Sequence, residues 1–240
     1  MSKIYNKEQL VEIKKGQTGY GLLIENDGHI IGKPDVINQI KEDIDNHHKF
    51  VIPDDFIVSA VFQKYGIKNA NGRIYPEAIL KREVEKYMNT RVAMHNAIGA
   101  LDHPASSTLS GHDVSHNILD LRWEGHTLVG EMKLHLSPGY KQYGICSTSG
   151  DLAANMILDG ILIGVSSRGV GSVEQKFGTT VVSDDYELLC WDIVMEPSTN
   201  SAYIKMNAKE LEPFIESNTL NQKNEMLSEK IDKINKILHN

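Results

Sequence analysis

Three residues far apart in the chain stand where reactive chemistry can be held in place. Ser166 lies in Gly164-Val165-Ser166-Ser167-Arg168-Gly169, directly after Gly160 and the apolar run Ile161-Leu162-Ile163. An apolar run bounded by glycines predicts a buried strand. Hydroxyls at the end of such a strand sit at the rim of a core, where a nucleophile is rigid yet reachable. On its own the hexamer fits a polar strand end with hydroxyl–backbone bonds better than a site. It does not fit the hydrolase elbow G-x-S-x-G either, because its second glycine comes one residue late.

His103 ends the short apolar segment Ile98-Gly99-Ala100-Leu101-Asp102-His103-Pro104. Pro104 pushes it toward extended backbone, and an imidazole with little freedom suits general-base work. Standing alone, it reads as a histidine that caps a loop. Asp192 is embedded in the apolar run Cys190-Trp191-Asp192-Ile193-Val194. A carboxylate there needs a partner, because burying it unpaired is costly. A second candidate is His112-Asp113-Val114-Ser115-His116, whose histidines at i and i+4 share a zinc ion only on a helix. Serine and glycine precede it and a strand-like run follows, so no metal site is expected there.

Composition narrows the classes. A net charge of −7 argues against a general nucleic-acid binder, since phosphate contacts call for a basic face. The two cysteines, Cys146 and Cys190, supply neither a disulfide framework nor a four-thiolate zinc site. No stretch approaches the roughly 18 apolar residues of a membrane span, and the first residues carry no apolar segment of the secretory kind. The chain reads as soluble and intracellular.

The elements that must position these residues follow from pattern. Tyr20–Glu25 and His29–Ile31 flank Asn26-Asp27-Gly28, which predicts a hairpin. Pro34 opens a helix with Val36, Ile37, Ile40 and Ile44 on one face. Phe56 to Phe62 reads as a strand, and Pro76 starts a helix with Leu80, Val84, Tyr87 and Met88 on one side. Leu119, Leu121 and Trp123 form the buried face of a hairpin that turns at Glu124-Gly125. Asp151 caps a helix that Gly160 stops, and strands follow over 179–182 and 186–195. After Leu220, the residues Leu220, Leu227 and Ile234 with Asn224, Ile231 and Leu238 lay out a heptad seam. A single amphipathic helix docked on its own domain fits that pattern equally well. The expected organisation is a hairpin–helix extension over 1–50, a main domain over 51–210 and a C-terminal amphipathic helix over 211–240.

Taken together, Asn69-Ala70-Asn71-Gly72-Arg73-Ile74-Tyr75-Pro76, Gly99 to Pro104 and Gly164 to Gly169 resemble the prohead core proteases of tailed bacteriophages. These are capsid-maturation serine proteases related in fold to herpesvirus assemblin. The likeness covers roughly residues 55 to 205, with the three motifs in the family's order. It implies an α+β fold with a mainly antiparallel β-barrel core wrapped by helices, and about six strands counted between Phe56 and Met195 agree. It implies a serine endopeptidase that cleaves scaffold, core and capsid proteins inside the assembling prohead in the host cytoplasm, with self-cleavage. His103 matches the family's catalytic histidine and Ser166 its nucleophile, with Asp192 on the strand expected to carry the third member. Ser167, Arg168 and Gly169 are near enough in sequence to serve the oxyanion. No cofactor or metal, and no nucleic-acid or membrane partner, is expected; self-association is expected through the C-terminal seam. Two rivals stay open: a zinc hydrolase built on His112 and His116, and a non-catalytic scaffold protein of the same fold.

The composition breaks around Pro213 and Asn218, after the last strand signal. A chain ending before Asn218 is therefore expected to fold, as judged by solubility and circular dichroism. Insolubility of the shortened chain would make the seam part of the core.

Overall fold

The computed structural model describes residues 11–32, 52, 55–104, 106–176 and 178–195. The strands are β1 (Gly19–Gly32), β2 (Ile57–Lys64), β3 (Arg73–Ile74), β4 (Ile98–Ala100), β5 (Val114–Glu124), β6 (Thr127–Leu134), β7 (Gly164–Lys176), β8 (Thr179–Val182) and β9 (Glu187–Val194). Three α-helices accompany them among the described residues: α1 (Glu77–Tyr87), α2 (Pro138–Tyr143) and α3 (Ser149–Leu158). The strands make one sheet in the order β3-β8-β7-β1-β2-β6-β5-β4, with β9 attached to β7. Every ladder is antiparallel except β3–β8. No described helix is long and apolar enough to cross a membrane.

β7 is the central strand. β1 runs along one of its sides, while β9 and then β8 take the other. A strand paired on both sides and covered on both faces loses the polar alternation of a surface strand, and residues 163–171 are buried without a break. Gly169 fits there because a Cβ would fall 2.4 Å from the Tyr186 ring. β1 lies within the sheet, between β7 and β2. The hairpin expected around Asn26-Asp27-Gly28 is instead one continuous strand whose register against β7 shifts between Glu25 and Gly28. Pairing with β7 up to Glu25 and again from Gly28, followed by pairing with β2 from His29, keeps the chain extended against the local turn preference, and the extra residues are absorbed as a bulge.

The sheet does not close into the expected barrel. β4 forms no ladder with β9: past its end there is an isolated Leu101–Ile193 bridge and the Asp102 N–H, which donates to the Ile193 carbonyl at 2.7 Å. The ladder stops because Asp102 adopts φ 62°, a left-handed conformation, and Pro104 has no N–H to donate. The helix expected near Pro34 and the seam after Leu220 lie outside the described residues.

α1 forms as its spacing predicts. Pro76 precedes it, Glu77 in its first turn and Lys86 in its last match the helix dipole, and Leu80, Val84 and Tyr87 are buried. It runs on into a π-helical turn, Met88–Val92. Two local readings are corrected. In the β5–β6 hairpin Ile118 is buried and Leu119 is 36% exposed, because the register shifts between Ile118 and Asp120 and a bulge moves the following side chains to the other face. In α3 the N-cap is Thr148, and Asp151 is the third helical residue of a capping box. The buried Asp151 carboxylate accepts from Ser137 N, Ser137 Oγ and Ser147 N at 2.8 Å each and from Thr148 N at 2.9 Å. One carboxylate thus joins the start of α3 to Ser137, the N-cap of α2.

β4 is pressed against its neighbours at Gly99. A Cβ there would fall 2.0 Å from the Trp191 carbonyl oxygen and 2.5 Å from His116 Cε1. Gly99→Ala is expected to destabilise the fold by about 1–3 kcal/mol, read as a lower melting temperature. Gly111→Ala, whose Cβ meets nothing within 4 Å, should stay within about 0.5 kcal/mol. An unchanged melting temperature for Gly99→Ala would show that β4 can shift away freely.

Candidate active site

In the β7–β9 ladder Ser166 lies directly opposite Asp192, and Arg168 opposite Cys190. Because side chains alternate along a strand, these four share one face of the sheet. Ser167 and Trp191 take the other face, where Trp191 packs edge-on against Phe62 at 5.4 Å and Tyr87 at 5.0 Å. Pairing across neighbouring strands brings a hydroxyl and a carboxylate together although 26 positions separate Ser166 from Asp192.

His103 reaches the same face from the segment after β4. Its Nε2 is 2.5 Å from Ser166 Oγ and its Nδ1 is 2.8 Å from Asp192 Oδ2. An ionised carboxylate only accepts, so Nδ1 carries the proton it donates to Asp192 and Nε2 is left to accept from the serine hydroxyl. The Asp102 N–H bond to Ile193 and the restriction at Pro104 fix the backbone on either side of this histidine. Ser166 is buried, and the His103 side chain keeps 15% of its surface exposed.

Asp192 is fully buried and fully compensated. Besides His103 it receives the Ala100 N–H at Oδ1 (2.9 Å), Arg168 Nε at Oδ2 (2.8 Å) and Arg168 Nη2 at Oδ1 (3.1 Å). Burial pushes its carboxyl up, but the His103 bond, the Arg168 charge and the Ala100 amide outweigh that and hold it below the usual carboxylate range. Arg168 stays cationic: burial works against its charge, but the Asp192 carboxylate beside it and the hydrogen bonds to Asp192 and Cys190 overcome that cost. Cys190 is a neutral thiol, pushed well up by burial and then by Asp192. The geometry is that of a hydroxyl, an imidazole and a carboxylate in line, able to move a proton from oxygen to nitrogen while the carboxylate faces the cation so formed.

The remaining sequence candidates fall elsewhere. The Arg168 side chain is turned to Asp192, with further bonds to Cys190 Sγ at 3.2 Å and to the Ser106 carbonyl. Its guanidinium therefore does not face the space beside the Ser166 hydroxyl as an oxyanion donor would. Ser167 Oγ is buried on the core face with no hydrogen-bond partner among the described residues. Gly169 sits within β7 opposite Leu23 and Leu188. His112 lies on an exposed turn and His116 is buried in β5, so the helix that a shared zinc ion requires is absent. His116 Nδ1 is 2.9 Å from Ser115 Oγ, and burial lowers its pKa to about 4. Among the described residues no group of three or more His, Cys, Asp or Glu side chains is placed to hold a metal.

Sequence reasoning missed the Ala100 amide, the Ser106 carbonyl and Cys190. The first two are main-chain groups that residue types cannot reveal. The direction of Arg168 had a signal: it stands two residues from Ser166, one strand period, in a buried run opposite a buried acid.

Residues 14–218 match the family described as prohead core protein serine protease. The prohead core protein protease of Enterobacteria phage T4 is 31% identical over 152 residues, 61% of this chain and 66% of the relative. The chain thus spans just under two thirds of that relative's length. Among solved structures the bacteriophage T4 capsid assembly protease is similar, with a TM-score of 0.58 and 25% identity over 73% of this chain and 98% of that one. The family match takes in all of β1 to β9 and includes His103, Ser166 and Asp192; the chain belongs to the prohead core protein serine protease family.

Proposed function

We propose that the protein is a serine endopeptidase of phage prohead maturation, with Ser166 as nucleophile, His103 as general base and Asp192 as the group that orients the imidazole. The observation that carries this is the unbroken line of hydrogen bonds from Ser166 Oγ through His103 to Asp192, at 2.5 and 2.8 Å. A serine hydroxyl is a weak nucleophile until its proton is taken. His103 Nε2 removes that proton as Oγ attacks the peptide carbonyl, then returns it to the leaving amine. A water activated in the same way releases the acyl group and restores the hydroxyl. Asp192 holds the tautomer in which Nε2 is free and faces the imidazolium while it lasts. The oxyanion needs preorganised donors, and these come from elsewhere than the side chains of Ser167 and Arg168. With Ser166 buried, a substrate carbonyl reaches Oγ only after part of the covering structure moves, a common step in enzymes with closing loops.

The family supports the biological reading. Its members are described as prohead core protein serine proteases, which supports action in the assembling prohead; scaffold, core and capsid proteins as substrates, and self-cleavage, are part of the proposal.

Ser166→Ala and His103→Ala should each lower cleavage of the scaffold protein of the same prohead by about 1000-fold or more, because the two act as one unit. Asp192→Asn should also be severe, since it favours the wrong imidazole tautomer. Ser167→Ala is the control and should stay within about threefold, as its hydroxyl lies on the other face of the strand. Gel analysis of the cleaved scaffold protein reads all four. Loss of cleavage in Ser167→Ala with Ser166→Ala intact would place the nucleophile one residue later.

A further inference from the structure

We propose that Arg168 is a positioning residue for this reaction: its guanidinium fork fixes the Asp192 carboxylate beneath His103 and ties the segment carrying His103 to the strand carrying Ser166. The inference rests on the triad reading above and assigns Arg168 a role different from the oxyanion support expected from sequence.

The geometry is that of a clamp. Nε and Nη2 grip the two oxygens of Asp192 at 2.8 and 3.1 Å, Nη2 also reaches Cys190 Sγ at 3.2 Å, and Nη1 donates to the Ser106 carbonyl. A planar two-point grip stops the carboxylate from turning about its own bond. That matters here because Oδ2 is shared: it accepts from Arg168 Nε and from His103 Nδ1. The plane that the fork imposes is thus the plane in which the imidazole is held. The strand period adds a second link, since Arg168 stands two residues from Ser166 on the same face, and one short run of β7 sets both the nucleophile and the holder of its partner acid. The Ser106 bond adds a third. His103 is pinned on one side by the Asp102 N–H to Ile193 and on the other by the Ser106 carbonyl to Arg168.

The charges facing Asp192 come from every element around it. His103 and the Ala100 amide approach from β4 and the segment after it, Arg168 and Ser166 from β7, and Cys190 from its own strand. His116 from β5 and Tyr87 from α1 also feel its charge. Cys190 and Tyr87 are neutral, and burial keeps His116 neutral near pH 7. Arg168 is therefore the permanent cation at this carboxylate, and His103 the one that comes and goes. Taking the fork away leaves Asp192 easier to protonate, so the acidic limb of the rate must move to higher pH. A lysine keeps the charge but not the planar grip, which separates the two contributions.

The test is steady-state cleavage of the scaffold protein of the same prohead, from acid to neutral pH. The full chain is compared with Arg168→Lys, Asp192→Asn, the double variant of these two, and Ser166→Ala. The expected result for Arg168→Lys is a kcat about 10- to 100-fold lower with KM within about threefold, as for lost outer partners of other sites. Its acidic limb should stay close to that of the natural chain, because the lysine keeps the cation, whereas in Arg168→Gln it should move to higher pH. On the Asp192→Asn background the lysine should change kcat less than about twofold, because no carboxylate remains to be oriented. A kcat for Arg168→Lys within about twofold of the natural chain, or a loss that recurs in full on the Asp192→Asn background, overturns the inference. If Arg168→Lys melts below the assay temperature, Arg168→Gln with Asp192→Asn removes both buried charges together. A kcat equal to that of Asp192→Asn then supports the clamp, and a further loss of about tenfold overturns it. Ser166→Ala separates the two failures. Cleavage by Ser166→Ala at the natural rate sinks the triad and the clamp together, whereas an inactive Ser166→Ala beside a normal Arg168→Lys sinks the clamp alone.

Discussion

The structure turns on one buried charge. Asp192 sits at 0% exposure in the middle of an apolar strand, and an ionised carboxylate taken out of water costs several kcal/mol unless charge and hydrogen bonds offset it. Four N–H hydrogen bonds do so, two of them from a guanidinium and one from an imidazole. Each of those donors comes from a different stretch of sequence: β4, the segment after it, and β7. Compensation of the carboxylate therefore holds three parts of the chain in register, and removal of any donor is felt by the other two.

The fold is arranged to make that compensation possible. β7 takes partners along both sides, so the Ser166–Asp192 pairing is buttressed by β1 behind it and by the core packing of Trp191 on the opposite face. β4 ends where it must. Close contact at Gly99, the left-handed Asp102 and the bridge from Leu101 to Ile193 turn the chain so that His103 emerges over β9. A non-glycine residue with φ near +60° is uncommon, and aspartate is among the side chains that tolerate it best. The interrupted sheet and the placement of the imidazole are thus one feature: a ladder that continued past Ala100 would carry His103 along the sheet and away from Ser166.

Much of this was legible in the sequence. Leu80, Val84 and Tyr87 announced α1, the glycine-bounded run announced the strand bearing Ser166, and the acid in an apolar strand announced a need for a partner. Other features were not legible, for reasons that differ. Asn26-Asp27-Gly28 carries a strong local turn preference that pairing with β7 on either side of it, and with β2 just after it, overrode. The burial of Ile118 in place of Leu119 depends on a bulge, which shifts the register without any mark in the hydrophobic pattern. The open sheet depends on how Leu101 meets Ile193, a contact between residues 92 positions apart. The Ala100 amide and the Ser106 carbonyl belong to the main chain, so no choice of side chain records them. From sequence Arg168 is expected to serve the oxyanion, and only the cross-strand register shows that its fork closes on Asp192.

The central claim is that Ser166 is activated by His103, and covalent labelling tests it most directly. Diisopropyl fluorophosphate phosphorylates a serine only where its hydroxyl has been made nucleophilic. Treated protein, digested and mapped by mass spectrometry, should carry one adduct on the peptide containing Ser166, and the adduct should vanish in His103→Ala. An adduct on Ser167 or on a serine outside β7, or labelling of Ser166 that persists without His103, would contradict the account.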